Sequence, residues 1–139
     1  MDRRSILVGG ALLPVTATAT PVGATAPTVM VEQTFLKARP GTLADLQRYI
    51  VANWFAMDSA GVEKGIFTSF QLFQAIDANM DWDLVMVVGY PQMEGYNDPA
   101  TQAAFNAIRA AHRELVIDGK TLKDLGEIVQ HHRLLLIPG

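Results

Sequence analysis

Histidine is the side chain best suited to move protons near neutral pH, and the sequence holds three of them. His112 lies on a predicted helix and follows Ala111, a residue of the predicted inner face. We therefore predict that His112 is a general base that points into a pocket, with an exposed helix histidine as the alternative. His131 and His132 are neighbours near a predicted strand, so their side chains point to opposite faces. Only one of them can line a given cavity, and we place His132 among the candidate ligand contacts.

The sequence lacks the spacings that bind metals or activate nucleophiles. It has no cysteine, which excludes disulfides, thiolate nucleophiles and zinc–thiolate sites. Neither a His-Glu-x-x-His pattern nor a facial-triad spacing occurs, and no Gly-x-Ser-x-Gly motif is present. We expect a protein without a bound metal or cofactor. Haem, with His112 or His132 as its axial ligand, is the alternative.

Aromatic side chains are the second group that suits a ligand site. Trp54 belongs to an apolar helical stripe, and Phe70, Phe73 and Tyr90 lie on two predicted strands. We predict that they wall an aromatic pocket, in which Asn53 orients a ligand and Tyr90 is a second catalytic candidate. Burial in the core or at a dimer face is the alternative for these aromatic residues.

Residues 1–26 have the features of a cleavable export signal. Arg3 and Arg4 form a positive start, a short apolar run follows, and a small-residue stretch ending at Ala26 fits the signal-peptidase pattern. The apolar run is about half the ~20 residues that a membrane-spanning helix needs. The arginine pair also resembles the twin-arginine motif, which leaves the Sec and twin-arginine routes both open. We expect a periplasmic or secreted protein whose mature domain, residues 27–139, has no membrane span.

The first helix of the mature domain is predicted from Thr42 to about residue 60. Its apolar residues recur at spacings of three and four, which places them on one face. The stripe comprises Leu43, Leu46, Ile50, Trp54 and Met57. Arg48, Asn53 and Asp58 fall away from it.

The order of elements predicts the architecture. Strands are predicted at 28–37, 65–76, 83–90 and 132–137, a second helix from 99 to about 118, and a short helix at 122–129. The order β-α-β-β-α-β is the split βαβ or ferredoxin-like unit. It predicts an α+β domain with one four-stranded antiparallel sheet and two helices on one face. The other face is then bare and apolar, and a homodimer that pairs two open sheet faces covers it.

The mature chain resembles the dimeric α+β barrel superfamily, and in particular its small exported members. The resemblance is carried by the stretch from Glu32 to Gly41, the Asn53-Trp54 pair, Gly65, and the strand beginning Asp83-Leu84-Val85. It covers about residues 28–137 and implies a dimer with a pocket between sheet and helices. Members of the superfamily include cofactor-free monooxygenases, polyketide cyclases, haem-binding barrels and stress-response proteins, so the fold alone selects none of these activities.

Three functions are left open by the residues. The first is an exported protein that binds a small apolar or aromatic molecule. The second, which the resemblance implies, is a cofactor-free monooxygenase or cyclase acting on an aromatic or polyketide-like substrate. The third is a structural or interaction protein whose sheet faces serve assembly. A nucleic-acid partner is not expected, because the net charge is −3 and the 11 basic residues are scattered.

Overall fold

The computed structural model describes residues 26–139. The export signal predicted at 1–26 therefore lies outside the described residues, apart from Ala26. Four strands, β1 to β4, and four helices, α1 to α4, follow one another within this range, and a π-helical turn joins α1 to α2. Their bounds are β1 Met30–Ala38, α1 Leu43–Tyr49, the π turn Ile50–Trp54, α2 Phe55–Glu63, β2 Ser69–Gln74, β3 Leu84–Tyr90, a 3-10 turn Gly95–Asn97, α3 Pro99–Ala111, α4 Leu122–Leu125 and β4 Gly126–Leu135.

The strands of residues 26–139 form one four-stranded sheet in the order β2-β3-β1-β4, and every neighbouring pair is antiparallel. This is the strand order of the ferredoxin-like fold, so the predicted fold class is confirmed. The central strand β3 begins with a run of Leu, Val and Met residues, as expected for a strand that pairs with a neighbour on each edge.

Both long helical segments cover the same face of the sheet. Leu36 pairs directly with Leu84, and the two residues share a buried cluster with helix residues Leu46 and Ile50. Met30 and Tyr90, at the other end of the same strands, pack against α3 residues in a second cluster. Because residues an even number apart on a strand share a face, both clusters lie on one side of the sheet.

The π turn changes the inner face of the first helical segment. The backbone N–H of Phe55 bonds to the carbonyl of Ile50, a five-residue step in place of the four of an α-helix. Asn53, within the turn, and Asp58, after it, are both buried and lie five residues apart. Met57, the last residue of the predicted stripe, packs against the second cluster, whereas Asp58, which was predicted to fall away from the stripe, is buried as well.

The C-terminal elements also differ from the prediction. The helix predicted at 122–129 ends at Leu125, and β4 begins at Gly126, which pairs with Ala38 of β1. A Cβ at Gly126 would lie 2.8 Å from the Lys37 carbonyl oxygen, so the close pairing of the strands requires glycine there. The predicted helix 99–118 ends at Ala111, because His112 has an extended backbone.

Within residues 26–139, no helix is long and apolar enough to cross a membrane.

Candidate functional site

A cavity of about 280 Å³ lies between the sheet and the helices, beside the second core cluster. This is the position predicted for a pocket in this fold. Five aromatic rings form much of its wall, and two carboxyl groups and one guanidinium also line it. The lining residues are Glu32, Thr34, Trp54, Met57, Asp58, Phe67, Met86, Val88, Tyr90, Tyr96, Phe105 and Arg109.

The aromatic wall is held by edge-to-face packing. Phe67 lies at the centre, with its ring centroid 5.1 Å from that of Tyr90 and 5.3 Å from that of Phe105. Tyr96 packs edge-on against Phe105 at 6.0 Å. Aromatic pairs prefer such tilted arrangements, which hold the rings in place and leave the space between them open.

Asp58 is the least expected residue of the site. It is only 6% exposed, and within residues 26–139 no hydrogen bond or ion pair reaches its carboxylate. Burial raises the pKa of Asp58 from 3.8 to about 7, because the apolar surroundings disfavour the charged form. The carboxyl group therefore changes its charge near neutral pH, as a general base or a ligand anchor requires.

Glu32 is the second buried carboxylate, and it is well bonded. It accepts a hydrogen bond from the Tyr90 hydroxyl at 3.2 Å and one from the Tyr96 backbone N–H at 3.0 Å. The side chains of His131 and Arg133, on β4, each approach it to 3.6 Å. Its negative charge is thus compensated from the neighbouring strand and from the loop after β3.

The loop 91–97 is fixed over the cavity rather than free. Arg133 donates to the carbonyl oxygens of Met93 and Glu94, at 3.0 and 2.9 Å. Gly95 has a φ of 57°, and a Cβ there would lie 2.7 Å from a carboxylate oxygen of Glu32. Glycine at this position lets the loop approach Glu32 closely enough for the Tyr96 bond.

Tyr90 and Trp54 are the predicted site residues that line the cavity. Burial, followed by the nearby charge of Glu32, raises the pKa of the Tyr90 hydroxyl well above its usual range. The Tyr90 hydroxyl therefore stays protonated and acts as a hydrogen-bond donor. Glu32, Asp58 and Tyr90 line the same cavity, and the charge of Asp58 raises the pKa of Tyr90 further.

His112 and Asn53 form a separate hydrogen-bonded unit. The Asn53 amide oxygen lies 2.9 Å from His112 Nε2 and accepts the Leu115 backbone N–H at 2.7 Å. The Asn53 amide nitrogen donates to the carbonyls of Tyr49 and Leu115, at 3.0 and 2.8 Å. All polar atoms of this buried side chain are bonded, so Asn53 holds the end of α3 against the π turn. His112 lines a groove between α2 and α3 instead of the cavity.

The remaining candidates lie outside the cavity. Phe70 packs edge-on against Phe55, with ring centroids 5.1 Å apart, beside the first core cluster. Phe73 pairs with Val85, which pairs in turn with Phe35, so Phe73 lies on the open face of the sheet and is 51% exposed. His132 packs against Phe35 on the same face, at 5.4 Å between ring centroids. The structure does not bring these three residues into one site with Tyr90.

Sequence reasoning missed Asp58, Glu32 and Arg109 as lining residues. Glu32 gave a usable signal, because it alternates with Met30 and Thr34 in an otherwise apolar strand. Asp58 also gave a signal, because it follows Trp54 of the apolar stripe by four residues. Among residues 26–139, no group of three potential ligands is arranged to hold a metal ion, and the histidines predicted as haem ligands do not line the cavity.

Comparisons with known proteins concern the fold alone. No family model matches the sequence, and no curated protein matches it. The structure is similar to a crystal structure of a Pseudomonas aeruginosa protein, with a TM-score of 0.50 and 14% identity, over 81% of this chain and 98% of that chain. A dimeric protein of unknown function and ferredoxin-like fold from Bacteroides fragilis has a TM-score of 0.47 and 8% identity, over 80% of this chain and 99% of that one. The class is thus a ferredoxin-like α+β protein, as the strand order shows.

Proposed function

We propose that the protein binds a small, largely apolar molecule in the cavity between its sheet and its helices. The observation that carries this proposal is the composition of the cavity, in which five aromatic rings surround buried acidic groups. Ligand sites are usually apolar concavities with a few polar groups that fix orientation, and their volumes run from roughly 300 to 1,000 Å³. A cavity of about 280 Å³ therefore suits a ligand with one ring and a short polar arm.

Tryptophan fluorescence tests this proposal directly. Trp54 lines the cavity, whereas Trp82 packs against Phe35, the open-face residue that also contacts His132. A Trp82→Phe variant therefore leaves Trp54 as the reporter. We expect single-ring compounds with hydroxyl, amine or carboxylate arms to change its emission and to raise the melting temperature. A panel of such compounds that changes neither quantity would contradict ligand binding and favour the structural or interaction role.

A second function is favoured by one observation, the buried carboxyl of Asp58. A carboxylate with a pKa of about 7 in an aromatic cavity is suited to take a proton from a phenolic or enolisable substrate. Deprotonation of that kind begins the chemistry of cofactor-free monooxygenases and cyclases, the group that the sequence resembles. In this structure Asp58, rather than His112, would be the base.

Matched variants distinguish Asp58 from His112 as the general base. We expect Asp58→Asn to lower any turnover of a single-ring phenol by at least about 100-fold, the usual contribution of a general base. His112→Ala keeps turnover within about twofold in the same assay. The reverse pattern would return the role of base to His112.

We also propose that the protein is a homodimer paired through the open sheet face and the edge strand β4. Val85 and Phe35 form the centre of that face, and Phe73 and Leu134 at its margins are 51% and 45% exposed. The edge strand continues into Leu136 and Ile137, which are 53% and 76% exposed. An exposed apolar edge strand is a template for pairing with another chain.

Light scattering at micromolar concentration tests the dimer. We expect twice the chain mass for the mature protein and a shift toward the single-chain mass in a Leu134→Glu variant. Leu115→Glu is the matched control, since Leu115 is 52% exposed in the segment after α3. A single-chain mass for the unmodified protein would contradict this proposal.

Export to the periplasm or beyond is proposed from residues 1–26 alone. Expression of the full chain in a bacterial host should give a mature protein that begins near residue 27. An Arg3→Lys, Arg4→Lys double variant that stops export would favour the twin-arginine route. Export at an unchanged rate would favour Sec.

A further inference from the structure

We propose that the ligand of this cavity is a monocation, an organic ammonium ion whose charged group lies against Asp58 and whose apolar body lies among the aromatic rings. This inference rests on the proposed binding function and deepens it by naming the charge of the ligand.

The first observation is that Asp58 is buried without a partner. It is 6% exposed and lines the cavity, and within residues 26–139 neither a hydrogen bond nor an ion pair compensates its charge. Buried polar groups are nearly always bonded in native structures, and an orphan such as this one needs an explanation. A ligand cation inside the cavity supplies the missing partner.

The second observation is the balance of charged groups around the cavity. From β1, β3 and the loop after β3, the cavity is lined by Glu32, Tyr90 and Tyr96, none of which is a cation. His131 and Arg133 on β4 are engaged with Glu32, and Arg133 also with the loop. They compensate Glu32 and leave Asp58 as the uncompensated acid.

Arg109 is the cation that lines the cavity itself. Its guanidinium lies 4.9 Å from the centroid of the Phe105 ring, and the residue is exposed to solvent. No ion pair within 4.0 Å joins it to Asp58 in the described part of the chain. Solvent screens an exposed charge of this kind far more than a buried one. Arg109 therefore does not neutralise Asp58, and its position shows that a ring of this wall accepts a cation on its face.

The third observation is the aromatic wall. Trp54, Phe67, Phe105, Tyr90 and Tyr96 present ring surfaces to one cavity. The face of an aromatic ring carries negative electrostatic potential and attracts a cation within about 6 Å. Rings together with one carboxylate form the kind of site that recognises amines, because the rings compensate the desolvation of the ammonium group.

The affinity for such a cation should depend on pH in a defined direction. Burial raises the pKa of Asp58 to about 7, and the cation binds to the ionised form. Below pH 7, binding has to release the proton, so the affinity should rise up to about tenfold per pH unit and level off above pH 7. His131 is the titratable neighbour of Glu32, at 3.6 Å, so the pH series is repeated in a His131→Gln variant. A neutral ligand that accepts a hydrogen bond from the protonated Asp58 carboxyl would show the opposite trend.

The experiment is calorimetry with three probes of one shape: 2-phenylethylamine, 2-phenylethanol and phenylacetate. At pH 7.5 we expect the amine to bind at least about tenfold more tightly than the alcohol, and the carboxylate most weakly. In Asp58→Asn the affinity for the amine should fall by about tenfold or more, while that for the alcohol stays within about threefold. Glu63→Gln is the control, because it removes an exposed carboxylate from the same helix, α2, and should change neither affinity.

The outcomes separate this inference from the proposed function. If the amine and the alcohol bind with equal affinity, or if Asp58→Asn leaves the affinity for the amine unchanged, the ligand is not selected for its positive charge. Either result would contradict this inference but not the proposed binding function. Failure of all three probes and of the wider fluorescence panel overturns both. Circular dichroism confirms that each variant is folded.

Discussion

The layer between sheet and helices is filled at one end and hollow at the other. At the filled end, Leu36, Leu46, Ile50, Leu84 and Leu125 are completely buried in one cluster. At the hollow end, the rings of Phe67, Tyr90 and Phe105 surround a cavity of about 280 Å³. The aliphatic side chains at the filled end stabilise the fold by close packing, whereas the aromatic side chains at the hollow end leave a cavity between them. One core is thus divided between a part that stabilises the fold and a part that can bind a ligand.

The polar groups of the two ends differ in the same way. Asn53, next to the filled end, is 1% exposed and every polar atom of its side chain is bonded. Asp58, five residues later and at the hollow end, is 6% exposed and unbonded within the described chain. A satisfied buried amide fixes structure, whereas an unsatisfied buried carboxyl costs stability and is available for a ligand.

The strongest test of the comparison deletes side-chain volume at each end. Leu36→Ala should lower the free energy of unfolding by about 3–5 kcal/mol, because it leaves a void in a close-packed cluster. Val88→Ala, which enlarges a cavity that already exists, should cost only about 1 kcal/mol. Urea unfolding measures both variants. Equal losses would mean that the two ends are packed alike.

The charge of Asp58 should make stability depend on pH. Its pKa in the folded protein is raised from 3.8 to about 7, so the folded state binds the proton more tightly than the unfolded state. The stabilisation by this group is full below pH 4, and stability falls as the pH rises toward 7 and is constant above it.

An Asp58→Asn variant removes that dependence. At pH 8 we expect it to be more stable than the unmodified protein by about 2–4 kcal/mol, and at pH 4 to differ little. Urea unfolding across the pH range measures this. Glu63→Gln serves as the control with an unchanged pH profile, and an Asp58→Asn variant that is less stable at pH 8 would contradict the assignment.

The loop over the hollow end depends on Gly95. Gly95→Ala should destabilise by about 2–3 kcal/mol, because a φ of 57° is strained for alanine and its Cβ would meet Glu32 and Met30. Gly65→Ala is the matched control: φ is 79° there, but no atom lies within 4 Å, so only about 1 kcal/mol of backbone strain is expected. Similar losses at both positions would show that the contact with Glu32 contributes nothing.

The smallest expected effect comes from filling the hollow end. Val88→Ile adds one methyl group toward existing space, so stability should change by less than about 1 kcal/mol. Probe binding should weaken, which Trp54 fluorescence in the Trp82→Phe background measures. A large loss of stability would mean that the space is not free to accept the methyl group.

Much of the fold follows from local sequence patterns. The Asp98-Pro99 helix start is an example: the Asp98 carboxylate accepts the Thr101 N–H at 2.9 Å, with proline at the first helical position. The error at 122–129 arose because Gly126 and the residues after it pair with a strand some 90 positions earlier. Pairing over such a distance is decided by tertiary contacts rather than by periodicity.

The site was less predictable than the fold. Tyr90 and Trp54 were found because aromatic residues in a strand or an apolar stripe tend to face inward. Asp58 was placed outside the stripe, although it follows Trp54 by four residues, and the structure shows it buried. His112 was placed on the inner face, but α3 ends beside it and the Asn53 side chain binds it. The difference at His112 follows from a contact between residues that are 59 positions apart in sequence.

The π turn between Ile50 and Trp54 has a consequence for how this chain tolerates changes in length. The π turn contains one residue more than a turn of α-helix. That extra residue is accommodated within the turn, so α1 and α2 keep their orientations toward the sheet. Loss of a solvent-facing position such as Val51, which is 51% exposed, should convert the wide turn into an ordinary one. Leu46 would still pack against the sheet, and Asp58 on α2 would still face the aromatic rings of the cavity. The helical segment could therefore lose one residue without a change in the geometry of the site.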